Sequence, residues 1–355
     1  VPHVVTITTQ ARFHEQAAED NESLLRRAAG PFDLAFVLVY LLPLVIIALS
    51  FDLLSAERER GTLAQLISHG VRVRDLLLCK VALRLGLVLA AVVLGALVAP
   101  RLLDSRAVGG GSAALLYLAF VCAYAAFWFG LAVLVNALGR TSSANGTMLV
   151  SAWLLLVVVV PATVVMITDA VHPTPSRVAL MTEIREAARE AEGELSAFEG
   201  NHAGDTTGAV GAQRAVALQR GVEHRVEPVA ATFHQQLGAQ QALIDRLRFL
   251  SPAVVLFEAL GDVSGNSVAR YRAFLDQTAG YHRGFRDFFF ERATQKRALG
   301  ERDYAELAPF TFIEPSAVAL HARAVAALLV LISPTLLLLV AASRRLRRVT
   351  VFAQS

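Results

Sequence analysis

The stretch Ala113–Leu138, AALLYLAFVCAYAAFWFGLAVLVNAL, decides the fold, because no charged side chain occurs anywhere between Arg106 and Arg140. A helix needs about 20 such residues to cross a hydrocarbon core about 30 Å thick. Four further windows have the same character: Phe32–Leu54, Leu76–Ala99, Thr147–Thr168 and Ala319–Ala342. Lys80 and Arg84 lie near one end of the second, from which their long side chains can snorkel toward the interface. The chain has 355 residues, of which 55% are hydrophobic. Five buried apolar helices would leave a soluble protein of this size too little polar surface to stay dissolved. The pattern therefore predicts an all-α, polytopic membrane protein with five visible spans.

The arginines orient it. The segments Ser55–Asp75 (with Arg58, Arg60, Arg72 and Arg74), Gly139–Gly146 (with Arg140) and the tail 343–355 (with Arg344, Arg345, Arg347 and Arg348) share one side if the helices alternate. The positive-inside rule makes that side cytoplasmic. The opposite side receives residues 1–31, the short loop Pro100–Ser112 and a long stretch over 169–318. Five spans place the two ends on opposite sides and the first residue is Val1, so a further spanning helix is expected upstream. Net charge is only +3, which gives no footing for nucleic acid as a partner. Cys79 and Cys122, the only two cysteines, fall at different depths in different spans, and no disulfide is expected.

The predicted organisation is thus an external segment 1–31, spans within 32–168, an external helical domain 169–318, a last span 319–342 and a basic tail 343–355. In the external domain, Leu218, Val222, Val226, Val229, Phe233 and Leu237 recur three or four apart, one face of a helix, with Pro228 inside it as an expected kink. Val268, Tyr271, Leu275, Phe285 and Phe289 mark a second helix. Leu250–Ser251–Pro252 reads as a break, Gly261–Ser267 as a turn capped by Ser264 or Asn266, and Glu199–Gly211 as a loop. The cluster Phe285, Phe288, Phe289 and Phe290 is read as packing of a helical hairpin rather than a docking surface.

The sharpest local feature is Ser55–Lys80, SAERERGTLAQLISHGVRVRDLLLCK. Alternating charges leave the bilayer directly after Asp52, and a short amphipathic helix at about 57–70 follows, with Leu63, Leu66 and Ile67 on one face. The chain then turns at Gly70 and re-enters the membrane. Such a segment is polar enough to stay out of lipid and apolar enough to fill a groove on a partner.

The run Glu57, Arg58, Glu59, Arg60, Gly61, Thr62 and Leu63, followed by Arg74, Leu77 and Lys80, resembles the coupling-helix motif of type-2 ABC exporter permeases. This chain lacks the proline that the family usually carries near His69 and Gly70. Gly30, Phe32, Asp33, Leu34, Ala35, Phe36 and Val37 leading into Tyr40 and Pro43 are similar to a subgroup with a large external insertion known only as a domain of unknown function. So are Thr9, Gln10, Arg12 and Phe13, and Leu250–Ala253 followed by Gly265, Tyr271, Phe274 and Tyr281. The resemblance implies a bacterial cytoplasmic-membrane permease that pairs with a second half, identical or paralogous, and carries two copies of an ABC ATPase subunit. On it, Glu57, Arg58, Glu59, Arg60, Gly61, Thr62, Leu63, Leu66 and Ile67 would couple to the ATPase, and the first and fourth spans would face the central pathway. ATP and Mg would then bind the partner, and this chain would hold no cofactor. The external domain would cap the exit or meet an outside protein.

No Gly-x-x-x-x-Gly-Lys-Ser/Thr loop, His-Glu-x-x-His or Gly-x-Ser-x-Gly occurs, so neither nucleotide hydrolysis nor the commonest hydrolytic chemistry is expected on this chain. His14, His172, His202, His224, His234 and His282 lack ligand spacing, and no metal site is expected. Tyr40, Asn136, Asn145 and Thr163, polar positions in or at the ends of spans, either line a substrate path or bond a neighbouring helix. Two other classes stay open: a sensor or scaffold with an external ligand- or partner-binding domain, and a membrane enzyme with an external active site.

Overall fold

The computed structural model describes residues 34–102, 111–173, 208–295 and 306–352, with isolated positions between. Residues 1–33, with most of the N-terminal resemblance, lie outside them, as do His14, His202 and 103–110 of the short loop. Most of the described residues are helical and none is in a strand. Five helices are long and apolar enough to cross a membrane: Leu34–Glu59, Val73–Gly95, Ala113–Ala137, Ser142–Val171 and Val318–Arg347. The chain is an all-α polytopic membrane protein.

It divides into two compact units. Among described residues, one holds 34–164, 247–271 and 315–352, and the other 165–246 and 272–314. Residues 247–271, inside the stretch read as external, thus group with the spanning helices.

In the first unit the helices are α1 (Leu42–Ser50), α2 (Ser55–Glu59), α3 (Thr62–Ser68), α4 (Val73–Leu102), α5 (Gly111–Ala137), α6 (Ser142–Trp153) and the start of α7 (Val160–Val171). The hub is α5. Of its most apolar stretch 67% is buried, against 11% for the second, fourth and fifth spans, so α5 is the helix the others pack on. It carries the largest fully buried side chains, Trp128, Tyr124, Phe120 and Phe129. Lipid tails are as apolar as leucine, so these aromatics hold the bundle by close packing rather than by escape from water. The exposed leucines of the other spans, such as Leu83 and Leu337, are the side chains a lipid-facing surface requires.

Leu250–Ser251–Pro252 is the expected break. Ser251 caps α9 (Pro252–Ser264), accepting from Val254 N at 3.4 Å with proline in the first turn. α9 packs against α5 and α11 (Ala317–Phe352) and is held by the pairs Arg248–Glu258 at 2.5 Å and Asp262–Arg323 at 3.0 Å. It runs through the expected turn to Ser264 and stops at Gly265, whose φ of 77° suits a residue without Cβ, with Asn266 N donating to Gly261 O. The cap of α10 (Val268–Thr294) is Ser267, which accepts from Arg270 N at 3.2 Å, and not Ser264 or Asn266. Four residues of capping type stand in a row here, and the left-handed turn at Gly265 leaves only the last in place to cap.

In the second unit, α8 (Gly208–Leu247) continues through Pro228. It begins at Gly208, so Gly208–Gly211 are helical rather than loop; a glycine costs only about 1 kcal/mol there relative to alanine. The rest of that expected loop, 199–207, lies outside the described residues. The Phe285 and Phe289 rings meet tilted at 4.8 Å, Phe288 and Phe289 meet edge to face at 5.3 Å, and all four clustered phenylalanines are half-buried, as packing requires. The segment 308–313, neither helix nor strand, is strapped to α10: the Gln277 amide accepts from Ile313 N and donates to Ile313 O, both at 2.8 Å, and Tyr281 Oη donates to Ala308 O.

Candidate functional site

The candidate site is the elbow between the first two spans. Helix formation pauses at Gly61, whose φ of 72° is left-handed, so the single helix expected over 57–70 is two, α2 and α3. The next turn falls at Gly70, φ 81°, as expected, and α4 follows from Val73. Glycine is suited to both turns because a side chain resists positive φ.

The charges of α2 bond to three spans, Glu57 and Arg58 from half-buried positions and Glu59 from an exposed one. Glu57 Oε1 pairs with Lys80 Nζ at 2.7 Å while its Oε2 accepts from Thr62 Oγ1 at 2.6 Å, so one carboxylate ties α2 to both α3 and α4. Lys80 also donates to Leu53 O at 3.0 Å. One turn along α4, Arg84 pairs with Asp52 at 3.1 Å and donates to Leu49 O. Lys80 and Arg84 therefore both reach carboxylates that follow the first span. Arg58 donates to Asn136 O at 3.4 Å, beside Gly139, where φ is 75° and an added Cβ would lie 3.3 Å from the guanidinium. Glu59 accepts from Ser142 N at 2.6 Å and from Ser142 Oγ at 2.9 Å, placing a carboxylate at the N-terminus of α6 where the helix dipole favours it. Ser142 Oγ is also 2.8 Å from Ser55 Oγ.

Beneath these lies Asn136, fully buried. Its Oδ1 accepts from Leu54 N at 3.1 Å and Asn145 Nδ2 at 3.4 Å, and its Nδ2 donates to Ser50 O at 3.0 Å and Ala132 O at 2.9 Å. Of the four polar positions considered for a path, Asn136 and Asn145 are thus brought together as a knot between helices. Tyr40 is elsewhere, half-buried and stacked on Phe36 at 4.8 Å, and the exposed Thr163 returns its hydroxyl to Val159 O at 2.7 Å.

What α2 turns inward, α3 leaves outward. Leu63 packs against the core of the bundle and Leu66 is half-buried, whereas Arg60, Ala64, Gln65 and Ile67 are exposed. Of the nine residues singled out for coupling, Glu59, Arg60, Gly61 and Ile67 are exposed, and Glu57, Arg58, Glu59 and Thr62 make the bonds that shape the elbow. Lys80, Asn136 and Ser142, distant in sequence, complete that frame: Lys80 belonged to the run that carries the resemblance, Asn136 was marked by its polarity in a span, and nothing marked Ser142.

Outside the elbow, comparison with known proteins bears on the region before the last span. Residues 178–313 match the family described as Domain of unknown function (DUF3526). No curated protein and no solved structure matches the chain. The DUF3526 match takes in α8, α9 and α10 and stops short of α11. Among described residues no three side chains converge as a metal would need, and Cys79 and Cys122 are free thiols.

Proposed function

We propose that this chain is the permease subunit of an ATP-binding-cassette exporter of the bacterial cytoplasmic membrane. Two permease halves, identical or paralogous, would carry two ATPase subunits on the cytoplasmic face, with ATP and Mg bound by those subunits. The observation that carries the reading is the elbow. A short helix, α3, keeps Ile67 and Gln65 exposed, while the preceding turn is bonded to the second, third and fourth spans through Glu57, Arg58 and Glu59. A partner gripping α3 would pull on three spans together, as a lever requires. The type-2 resemblance of Glu57–Leu63 supplies the identity of that partner. The part of the region matching DUF3526 that lies outside 247–271 would be on the periplasmic side, where it would serve export or meet a protein partner.

Ile67→Glu tests the reading. Ile67 is 37% exposed, so its replacement should shift the protein's own stability by less than about 0.5 kcal/mol. A carboxylate forced into an apolar groove costs about 3 kcal/mol, so ATPase affinity should fall about 100-fold, with nucleotide hydrolysis losing its response to the permease. Titration of the labelled ATPase subunit onto nanodisc-embedded protein reads this directly. An ATPase that binds the variant as tightly as the parent would remove the elbow from the interface.

A further inference from the structure

The first and fourth spans share an irregularity that their apolar sequences conceal. Each contains a π-helical segment, Val37–Leu41 and Leu154–Val159, and in each a proline follows two residues after the segment ends, at Pro43 and Pro161. The bond closing each segment spans five residues, Leu42 N to Val37 O and Val160 N to Leu155 O. The proline then has no N–H to give, so carbonyls before it lose their helical partner.

In lipid such a carbonyl has no water to turn to, and three side chains from other helices cover the gap. Tyr124 Oη of α5 donates to Val39 O at 2.9 Å. Trp153 Nε1, at the edge of the second π segment, donates to Tyr40 O in the first at 3.2 Å. Ser251 Oγ, the cap of α9, donates to Leu156 O at 2.6 Å. α9 packs against both π segments. The two irregular turns are therefore one layer, cross-linked by side chains and seated on a single short helix, well along the spans from the elbow.

We propose that this layer is a hinge: the first and fourth spans bend here together, and the bonds from Tyr124, Trp153 and Ser251 exchange as they do. A regular helix resists bending through its unbroken ladder of four-residue bonds, and both ladders are interrupted at this level. Side chains that cover the carbonyls keep the bend from stranding a polar group in lipid. A proline sits beside each segment, so neither ladder can close into a continuous α-helix. The hinge stands on the backbone geometry and not on the coupling reading.

The test is electron paramagnetic resonance on full-length protein in lipid nanodiscs, in a Cys79→Ser, Cys122→Ala background. Spin labels at Leu34→Cys and Ala162→Cys report beyond the layer, and labels at Val45→Cys and Met148→Cys report between it and the elbow; all four positions are exposed. The pair beyond the layer should give a distance distribution about twofold broader than the other, and Pro43→Ala with Pro161→Ala should narrow it to the same width. Ser251→Ala, which uncovers Leu156 O without touching either proline, should broaden it further. Equal widths in the parent overturn the hinge. So does a broad distribution that survives both proline replacements, because fraying at Leu34 alone would behave that way.

Discussion

Replacing Glu57 and Glu59 together by lysine is expected to dismantle the elbow, with a loss of about 4 kcal/mol of stability and of any function that depends on it. Lysine at 57 would face Lys80 across a gap that is 2.7 Å in the parent. Lysine at 59 would remove both bonds to Ser142 and set a cation at a helix N-terminus. The Glu57 and Lys80 side chains are only 22% and 23% exposed, so water screens their contact incompletely; that exposure still holds the figure below the full cost of a buried pair. Thermal unfolding in detergent should show the loss, and adding Lys80→Glu to Glu57→Lys alone should recover much of its share. An unchanged melting temperature in the double lysine variant would show that the inward bonds contribute nothing. The comparison with Ile67→Glu is then informative, since that change should cost partner affinity with the fold intact.

Asn136→Leu should lower stability by about 3 kcal/mol. Hydrogen bonds between membrane helices contribute about 0.6 kcal/mol on average, so deletion of one contact would be modest. The Asn136 side chain takes part in three, with a fourth bond to Ala132 O inside α5, and leucine would leave Leu54 N and Ser50 O without the side chain that serves them in a buried site. An orphaned buried group costs about 1–3 kcal/mol, and that term dominates. Denaturant titration of the purified protein, followed by exposure of Trp128, measures it. A shift under about 1 kcal/mol would mean that the surrounding helices re-pair these groups.

The spans were legible because twenty uncharged apolar residues have one physical reading. The break at Ser251–Pro252 was legible too, since a capping hydroxyl and a proline act locally. Turns were less so: Gly70 was marked by the sequence around it, while Gly61 stood in a charged run that reads as continuous helix, and only the left-handed φ divides it. Least legible were the partners. Glu57 meets a lysine one span away, and Glu59 meets Ser142 across two spans, so no local pattern links them. Asn136 and Asn145 were noticed for being polar in an apolar setting. Polarity alone does not distinguish a side chain that faces a path from one that knots helices; packing does. Pro43 and Pro161 were visible, but their matching places relative to two π segments follow only from the backbone.

The central position of α5 also governs the order in which the molecule is made. α11 packs on α5 more broadly than any other helix does, yet the ribosome reaches it only after the whole of α8, α9 and α10. Throughout that interval the flank of α5 reserved for α11 must be shielded by lipid or an insertion factor. A nascent chain halted before residue 317 would display that seam, which gives quality control a surface on which to recognise unfinished copies.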